Sequence, residues 1–389
     1  MTDSGIGTST ISDHSAITFH LQSKEYVQRG PGFWKINNYF LSDERFAQDL
    51  SSKIPKFKTK HNYLDDKGLY WDMIKMQGRG FCVQYTKRKN RERRNTERHL
   101  QQQIDHLMNQ LKTDRTKENI SKLYRLRAEY NTIAEYRTKG AIIRSRIRWH
   151  KNGEKNTKYF LNMEKRQHCK SHISKLKIND DMEINDPKTI LEQGKMFYKN
   201  PYTAAHCRDS NYTLFFENSN IAKIEATQQE EPQRLLLSEE CLLILKLCSK
   251  NKTPGTDGLS VEFYLQFSSL LGEEMVQSLN YAYEHGQLNI MQKQGIIKVI
   301  PKERKDKSFL ENWTPLSLLN VDYKIATKAI AHRISKVLTT IVKEDQTGYV
   351  QGQYIGQNIR LITDIMKVTE LESIPVWPFL LILKKHSIQ

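Results

Sequence analysis

The chain has 389 residues, and its formal net charge is +17 because 61 lysines and arginines outnumber 44 aspartates and glutamates. This length suffices for two or three domains with buried cores. The five cysteines form no C-x-x-C pair, which predicts free thiols in a reducing, intracellular compartment rather than disulfides or a locally built zinc site. No apolar run reaches the ~18 residues of a membrane-spanning helix, and the polar first residues predict no secretory signal.

The basic excess lies on a polar background, as it does in proteins that neutralise phosphates. A well-solvated basic surface explains the same composition. Charge alone therefore favours nucleic acid as a partner without establishing it.

The first part of the chain predicts one strand and then long helices. Apolar residues alternate in Ala16–Leu21, after the polar cluster Ile11–Ser15, and this alternation predicts a half-buried strand. Glycine and proline punctuate Arg29–Asn37, which predicts a linker ending on a large apolar anchor. No proline occurs between Pro55 and Pro187, and this span, rich in Lys, Arg, Glu, Gln and Leu, favours long helices.

Two apolar stripes in that span predict a helical hairpin. Alternating spacings of four and three residues separate Leu100, Ile104, Leu107 and Leu111, and similar spacings separate Leu123, Leu126, Tyr130 and Ile133. The polar segment Lys112–Asn119 breaks the register between the stripes. We therefore predict an antiparallel hairpin over about residues 82–138.

Two basic clusters flank this hairpin. The first is Lys87–Arg94. The second mixes cations with aromatic residues: Arg144, Arg146, Arg148, Trp149, Lys151, Lys155, Lys158, Tyr159, Phe160, Lys165 and Arg166. A charge run is usually a solvated helix face, but cations mixed with aromatics suit phosphate neutralisation combined with base stacking. The second cluster is therefore the better candidate for a nucleic-acid contact.

Shorter elements follow the second cluster. Ile173–Ile184 predicts a β-hairpin, and Pro187–Lys199 predicts a helix with proline near its first turn. Periodicity disappears over about residues 206–234, which predicts a flexible connection. Ser238 then predicts the cap of a new helix with acids in its first turn.

The segment from Lys250 to Arg360 contains four short motifs: Thr253–Gly258, Ile300–Lys302, Asn312–Asn320 and Asp345–Tyr349. Between them we predict helices over Val261–Leu271 and Glu273–His285 and a strand over Gln294–Ile300. A further helix is predicted from Asn320 to about Val342. Its apolar face would be Ala326, Ile330, Ile334, Val337, Leu338 and Ile341, and its basic face would be Lys324, Lys328, His332 and Lys336.

In this order and spacing, with Asp322–Lys324 between the third and fourth, the motifs resemble the fingers subdomain of reverse transcriptases of non-LTR (LINE-type) retrotransposons. The resemblance extends over roughly residues 12–370 and includes Trp149–Arg166 and the S-D-H tripeptide Ser12–His14. It is most specific between residues 250 and 360.

The resemblance implies nucleotide or nucleic-acid contacts by Lys250, Lys252, Asp257, Lys302, Lys324, Lys328, Gln346, Gly348 and Arg360, to which the second basic cluster adds Arg146, Trp149 and Lys158. Lys302 would meet the triphosphate of an incoming nucleotide, since a mobile ammonium suits a polyanion. Near the N-terminus, His14 would be a vestigial catalytic residue of an endonuclease of the exonuclease-endonuclease-phosphatase class, and Asp13 would orient its ring.

Departures from the family pattern argue against polymerase activity of this chain alone. Thr314 and Gln353 stand where the family usually has arginine. Phe379–Leu383 matches the strand that precedes the first metal-binding aspartate, yet Lys384–Gln389 follows it. Because polymerisation uses two Mg²⁺ ions held by carboxylates, we expect no intact catalytic residue, metal or cofactor in this chain. Tyr63–Asp66 spells the family's Y-x-D-D motif but precedes the fingers, so we predict a helix start there.

The predicted fold class is predominantly α with small β elements (α+β). The predicted domains are an endonuclease remnant (1–28), a mostly helical basic linker (29–205), a flexible connection (206–237) and a partial reverse transcriptase domain truncated at the start of the palm (238–389). The predicted function is binding of RNA and DNA, with little sequence preference, by an intracellular retrotransposon fragment in the nucleus or a cytoplasmic ribonucleoprotein. Two alternatives stay open: a helical basic scaffold for protein assembly, and an active reverse transcriptase whose end near Leu383 is a gene-model or frameshift artefact.

Overall fold

The computed structural model describes residues 3–7, 16–20, 32–145, 172–179, 182–200, 203, 224–342, 346–347, 350 and 352–373. These residues are mostly helical, with short strands that pair in twos, which confirms the predicted α class with small β elements. The chain divides into two compact units. The first unit is Met1–Gly32, Gly80–Lys195 and Val299–Thr314, and the second unit is Phe33–Arg79, Met196–Lys298 and Pro315–Gln389.

Two small antiparallel sheets belong to the first unit. Strand β1 (Asp3–Gly7) pairs with β2 (Ala16–His20), which is the strand that alternation predicts. Strand β1 was not predicted, because the sequence Asp-Ser-Gly-Ile-Gly carries no alternating apolar pattern. Strands β3 (Leu176–Asn179) and β4 (Met182–Ile184) form the predicted hairpin, with a register shift between Lys177 and Asn179.

Helix α2 (Lys67–Gln110) begins in the second unit, and its part from Gly80 onward runs antiparallel to helix α3 (Lys117–Ser145) within the first unit. The Arg93 guanidinium lies 3.8 Å from the centre of the Tyr136 ring, and Arg127 Nη2 lies 3.7 Å from Met108 Sδ. The first predicted stripe is buried at Leu100, Ile104 and Leu107. The connection between the helices falls where the polar residues break the register.

The second unit begins with a 3-10 helix over Asn38–Ser42 and helix α1 (Glu44–His61), whose start is capped by the Asp43 carboxylate. One face of α1 is buried, because Phe46, Leu50 and Ile54 recur every four residues. The Phe46 ring packs edge-on against Phe267 at 6.5 Å between ring centres.

The remaining elements are helices α4 (Pro187–Lys199), α5 (Ala226–Gln233), α6 (Ser238–Lys246), α7 (Val261–Gln266), α8 (Ser268–Glu284) and α9 (Ile290–Lys293), the paired strands β5 (Gly295–Pro301) and β6 (Trp313–Leu319), and helices α10 (Val321–Ile341) and α11 (Gly356–Leu371). Helix α5 lies inside the segment predicted as a flexible connection. Ser238 is the first residue of α6 rather than its cap. The break between α7 and α8 comes at Phe267, which is itself buried.

The buried face of α10 differs from the predicted one. Val321, Asp322, Ile325, Ala326, Ala329 and Arg333 are buried, whereas Ile330 and Ile334 are 37% and 43% exposed. The apolar pattern missed this face because two of its members are charged residues that are buried with partners. No helix among the described residues is long and apolar enough to cross a membrane.

Candidate nucleic-acid interface

The Thr253–Gly258 turn packs directly against Asn320, so two of the four sequence motifs meet in the second unit. The Asn320 side chain is fully buried, and its Oδ1 accepts a hydrogen bond from the Asp257 backbone N–H at 3.2 Å. Its Nδ2 donates to the Met291 carbonyl at 2.7 Å. A Cβ on Gly255 would overlap the Asn320 side chain and lie 2.5 Å from the Asn320 backbone nitrogen, so this close approach requires glycine.

The far side of the turn is covered by the segment before the 3-10 helix. Gly258 has a φ of +74° and lies under Trp34, and its carbonyl accepts a hydrogen bond from the Ile36 N–H at 2.9 Å. Arg79 of α2 lies over the Trp34 ring at 5.4 Å and donates to the Thr256 carbonyl at 3.2 Å. The turn is therefore fixed from both sides.

A buried ionic cluster lies beneath the turn and joins α2 to the start of α10. Lys75 Nζ lies 2.7 Å from Asp322 Oδ2 and 3.4 Å from Asp72 Oδ1. The indole N–H of Trp71 donates to the same Asp322 oxygen at 2.8 Å. Asp257 adds a third buried carboxyl, whose Oδ1 accepts from the Leu259 N–H at 3.0 Å.

Burial and mutual charge separate the pKa values of these groups. Burial, together with the charge of neighbouring Asp322, raises the pKa of Asp257 to about 6. Burial also raises the pKa of Asp322, but the Lys75 charge and the hydrogen bonds from Lys75 and Trp71 outweigh it and hold the pKa below its ordinary value. Burial lowers the pKa of Lys75, yet Asp322, Asp257 and Asp72 together hold it above the ordinary value. Lys75 is thus a charged ammonium that neutralises Asp322.

Asp257, another predicted contact residue, lies inside the second unit rather than at its surface. The residue is 1% exposed, and its carboxyl is directed at Leu259 and Tyr264 inside the second unit. A buried carboxyl also repels phosphate. The described contacts of Asp257 are those of a residue that shapes the turn, and its direct contact with nucleic acid stays a prediction.

Four predicted cations gather at the surface beside this turn. Lys250 and Lys252 are exposed on the loop after α6. Lys328 of α10 is also exposed, and its Nζ donates to the Leu247 carbonyl at the start of that loop, at 3.3 Å. Lys324 lies one turn before Lys328 on α10 and is half-buried; burial lowers its pKa, while Cys248 and Asp257 raise it. We call Lys250, Lys252, Lys324 and Lys328 the loop-side patch.

Other predicted contact residues lie elsewhere. Lys302 belongs to the first unit, is exposed, and donates from Nζ to the Glu311 carbonyl at 2.8 Å. Arg360 is exposed on α11 and faces Asp364 at 3.7 Å, and Gln346 is exposed. Gly348, Arg146, Trp149, Lys158, Asp13 and His14 lie outside the described residues.

The Y-x-D-D sequence at Tyr63–Asp66 begins a helix, as predicted. Asp66 Oδ1 accepts a hydrogen bond from the Leu69 N–H at 2.9 Å in the first turn of α2. Within the part of the chain that the structure describes, no group of three or more His, Cys, Asp or Glu side chains is arranged to hold a metal ion. Lys75 lies between the carboxylates of Asp72 and Asp322 and supplies the positive charge of the cluster.

Sequence reasoning missed the residues that build the support of this surface. Trp71, Lys75 and Arg79 were predicted only as parts of a helix, and Asn320 only as part of a motif. The spacing of four residues between Trp71, Lys75 and Arg79 places these three side chains on one face of α2. Nothing in a single sequence identifies buried charged partners more than two hundred residues apart.

The described residues define a basic, mainly helical protein with a patch of lysines supported by a buried ionic cluster. No protein-family model matches the chain. The chain is 24% identical, over 363 residues, to the Transposon TX1 uncharacterized 149 kDa protein of Xenopus laevis. The match covers 93% of this chain and 27% of that protein, so the chain spans about a quarter of its relative's length. The chain is thus similar to a transposon protein over nearly all of its length.

Proposed function

We propose that the chain is part of a LINE-type (non-LTR) retrotransposon protein and that it binds RNA and DNA with little sequence preference. The observation that carries the proposal is the loop-side patch, which brings together lysines from two chain segments that are about 75 residues apart. The similarity to a transposon protein supports the same proposal.

In the same proposal, residues 250–360 are a fingers segment of the reverse transcriptase type, and residues 12–14 are the end of an endonuclease domain. The contact between the Thr253–Gly258 turn and Asn320 supports the first part, because two motifs of the resemblance pack together. Lys302, which directly follows strand β5, would add a contact to a phosphate group.

Binding at the loop-side patch would be electrostatic. Exposed ammonium groups attract phosphates and release condensed counterions from the nucleic acid, so affinity falls steeply with salt. The buried cluster contributes by position: Lys75, Asp322 and Asn320 fix the turn and the start of α10, and α10 in turn carries Lys324 and Lys328.

The test is a binding titration of the full chain against labelled RNA and DNA at several salt concentrations. We expect Lys250→Gln/Lys252→Gln/Lys328→Gln to lower the magnitude of the salt slope by about 2–3 and to weaken binding roughly 10-fold. Lys56→Gln/Lys60→Gln/Lys293→Gln removes the same charge from exposed positions of the second unit and serves as the matched control.

Equal slopes for the patch variant and its control would remove the loop-side patch from the proposal. Binding that does not change with salt would instead favour the helical scaffold for protein assembly. Circular dichroism of each variant verifies that the helices are intact.

A further inference from the structure

Helix α2 carries a second basic surface that the proposed function does not include. Lys87, Arg91, Arg94 and Arg98 are separated by four, three and four residues, and all four are exposed. At 3.6 residues per turn they fall within about 60° of arc on one side of the helix. We call these four residues the α2 stripe.

The α2 stripe faces away from the helical hairpin's packed side. Leu100, Ile104 and Leu107 are buried, and Arg93 of the same helix stacks on Tyr136 of α3. These residues lie roughly opposite the stripe on the helical wheel. The packing of α3 against α2 therefore leaves the stripe at the surface of the first unit.

No described residue neutralises the α2 stripe. Its four side chains make no hydrogen bond, ion pair or ring contact within the described ranges, whereas neighbouring cations do. Arg88 pairs with Glu92 at 3.9 Å and lies over the Tyr85 ring. Lys89 lies over that same ring at 5.6 Å. Two acidic residues lie among the stripe residues in sequence. Glu92 pairs with Arg88 beside the stripe, and Glu97 is half-buried.

Four like charges at helical spacing repel one another, and a bound polyanion would relieve that repulsion. The stripe extends about 16 Å along the helix axis, with cations about 5 Å apart on average. Duplex nucleic acid presents one phosphate per about 1.7 Å of its axis, so this length faces several phosphates. The stripe ends before Asp105, which accepts a hydrogen bond from Gln101.

The side chains around the stripe indicate which form of nucleic acid it fits. Asn90, Asn95 and Gln102 are exposed beside it and are able to donate hydrogen bonds to phosphate oxygens. Tyr85, the aromatic residue of this segment, is 2% exposed and engaged with Arg88. Single-strand binding relies on exposed aromatic rings for base stacking, and no Phe, Tyr or Trp ring is exposed among the described residues from 84 to 102.

We infer that the α2 stripe binds the phosphate backbone of a nucleic-acid duplex, independently of its sequence. This inference rests on the proposed function and adds a second contact surface with a stated substrate form. It gives the first basic cluster a role, although the sequence favoured the second cluster, whose side chains lie outside the described residues.

The experiment compares full-length variants by fluorescence anisotropy, with a mixed-sequence duplex of about 20 base pairs and one of its single strands as probes. The stripe variant is Lys87→Gln/Arg91→Gln/Arg94→Gln/Arg98→Gln. The control is Lys112→Gln/Arg115→Gln/Lys117→Gln/Lys122→Gln, which removes the same charge from exposed positions near the hairpin connection. Glutamine keeps helix propensity, and circular dichroism checks the fold.

We expect the stripe variant to lose about 3–4 from the magnitude of the duplex salt slope and to bind the duplex roughly 10- to 100-fold more weakly. The salt slope of the control variant should fall in magnitude by less than about 1. Equal slopes for stripe variant and control would overturn the inference, and so would a loss confined to the single strand. A wild-type slope near zero would overturn the proposed function itself, whereas a steep wild-type slope with an unchanged stripe variant would overturn the inference alone.

Discussion

Replacing Lys75 with methionine tests the buried ionic cluster. The Lys75 side chain is 2% exposed, and its ammonium lies 2.7 Å from Asp322, which is 0% exposed. Lys75→Met keeps a similar unbranched volume but leaves Asp322 buried without its cation, beside the buried carboxyls of Asp72 and Asp257. Removing one partner of a buried pair costs about 3–5 kcal/mol, so we expect a loss of stability of that size.

The assay is urea unfolding of the full chain at neutral pH, followed by tryptophan fluorescence, since Trp71 is part of the cluster. Lys58→Met is the matched control, because Lys58 pairs with Glu274 in the same unit but is 28% exposed. We expect the control to cost less than Lys75→Met, because Lys58 is partly open to solvent.

A second variant separates lost charge from lost packing. Asn in place of Asp322 still accepts the Trp71 hydrogen bond but carries no charge, so Lys75→Met/Asp322→Asn should be at least about 1 kcal/mol more stable than Lys75→Met alone. The reasoning is refuted if Lys75→Met costs no more than its control, or if the double variant shows no recovery.

Three further predictions concern the same unit. Gly255→Ala should cost about 2 kcal/mol or more in urea unfolding, because its Cβ meets the Asn320 backbone, whereas Gly272→Ala, which meets nothing within 4 Å, should gain about 0.5–1 kcal/mol. The raised pKa of Asp257, about 6 against 3.8, means that the folded state holds a proton which the unfolded state has released between these pH values. The titration of Asp257 therefore lowers the free energy of unfolding by about 3 kcal/mol as pH rises from 3.8 to 6. Asp257→Asn should remove this pH dependence from the measured unfolding profile. Arg333→Met should cost about 3–5 kcal/mol in the same urea assay, because it deprives half-buried Glu240 and the carbonyls of Arg234 and Leu235 of the donors on the buried Arg333 side chain, and Glu240→Gln should cost less.

Local patterns in the sequence predicted much of the secondary structure. The uninterrupted Gln294–Ile300 run gave strand β5, the proline at Pro187 marked the first turn of α4, and the polar break after Leu111 separated α2 from α3. These features depend on residues close together in the chain. The same reasoning missed β1, which has no apolar alternation, and α5, which has almost no apolar periodicity.

Long-range contacts between polar residues were beyond prediction. The sequence suggested Ile330 and Ile334 as core residues of α10, but the helix buries Asp322 and Arg333 instead. Each of these charged residues is stable inside because a partner from a distant segment neutralises it: Lys75 for Asp322 and Glu240 for Arg333. Apolar periodicity carries no information about such pairs, so it oriented the helix incorrectly.

In the candidate site, too, the sequence predicted individual residues but not the contacts between distant segments. The sequence named Lys250, Lys252, Lys324 and Lys328 separately, and in the structure Lys328 of α10 contacts the carbonyl at the start of the loop that carries Lys250 and Lys252. The sequence also named Asp257, which the structure buries at the turn, where its carboxyl accepts a hydrogen bond from the Leu259 N–H.

The most direct measurement of the central claim is the salt dependence of nucleic-acid binding by the unmodified full chain. If the chain binds through lysines and arginines that displace counterions, the logarithm of the association constant should fall linearly with the logarithm of salt concentration, with a slope of magnitude about 4 or more between roughly 50 and 200 mM. The slope should vary little among RNA and DNA probes of unrelated sequence. A flat dependence, or no binding at the lower salt concentration, would contradict the claim that this chain is a nucleic-acid-binding protein.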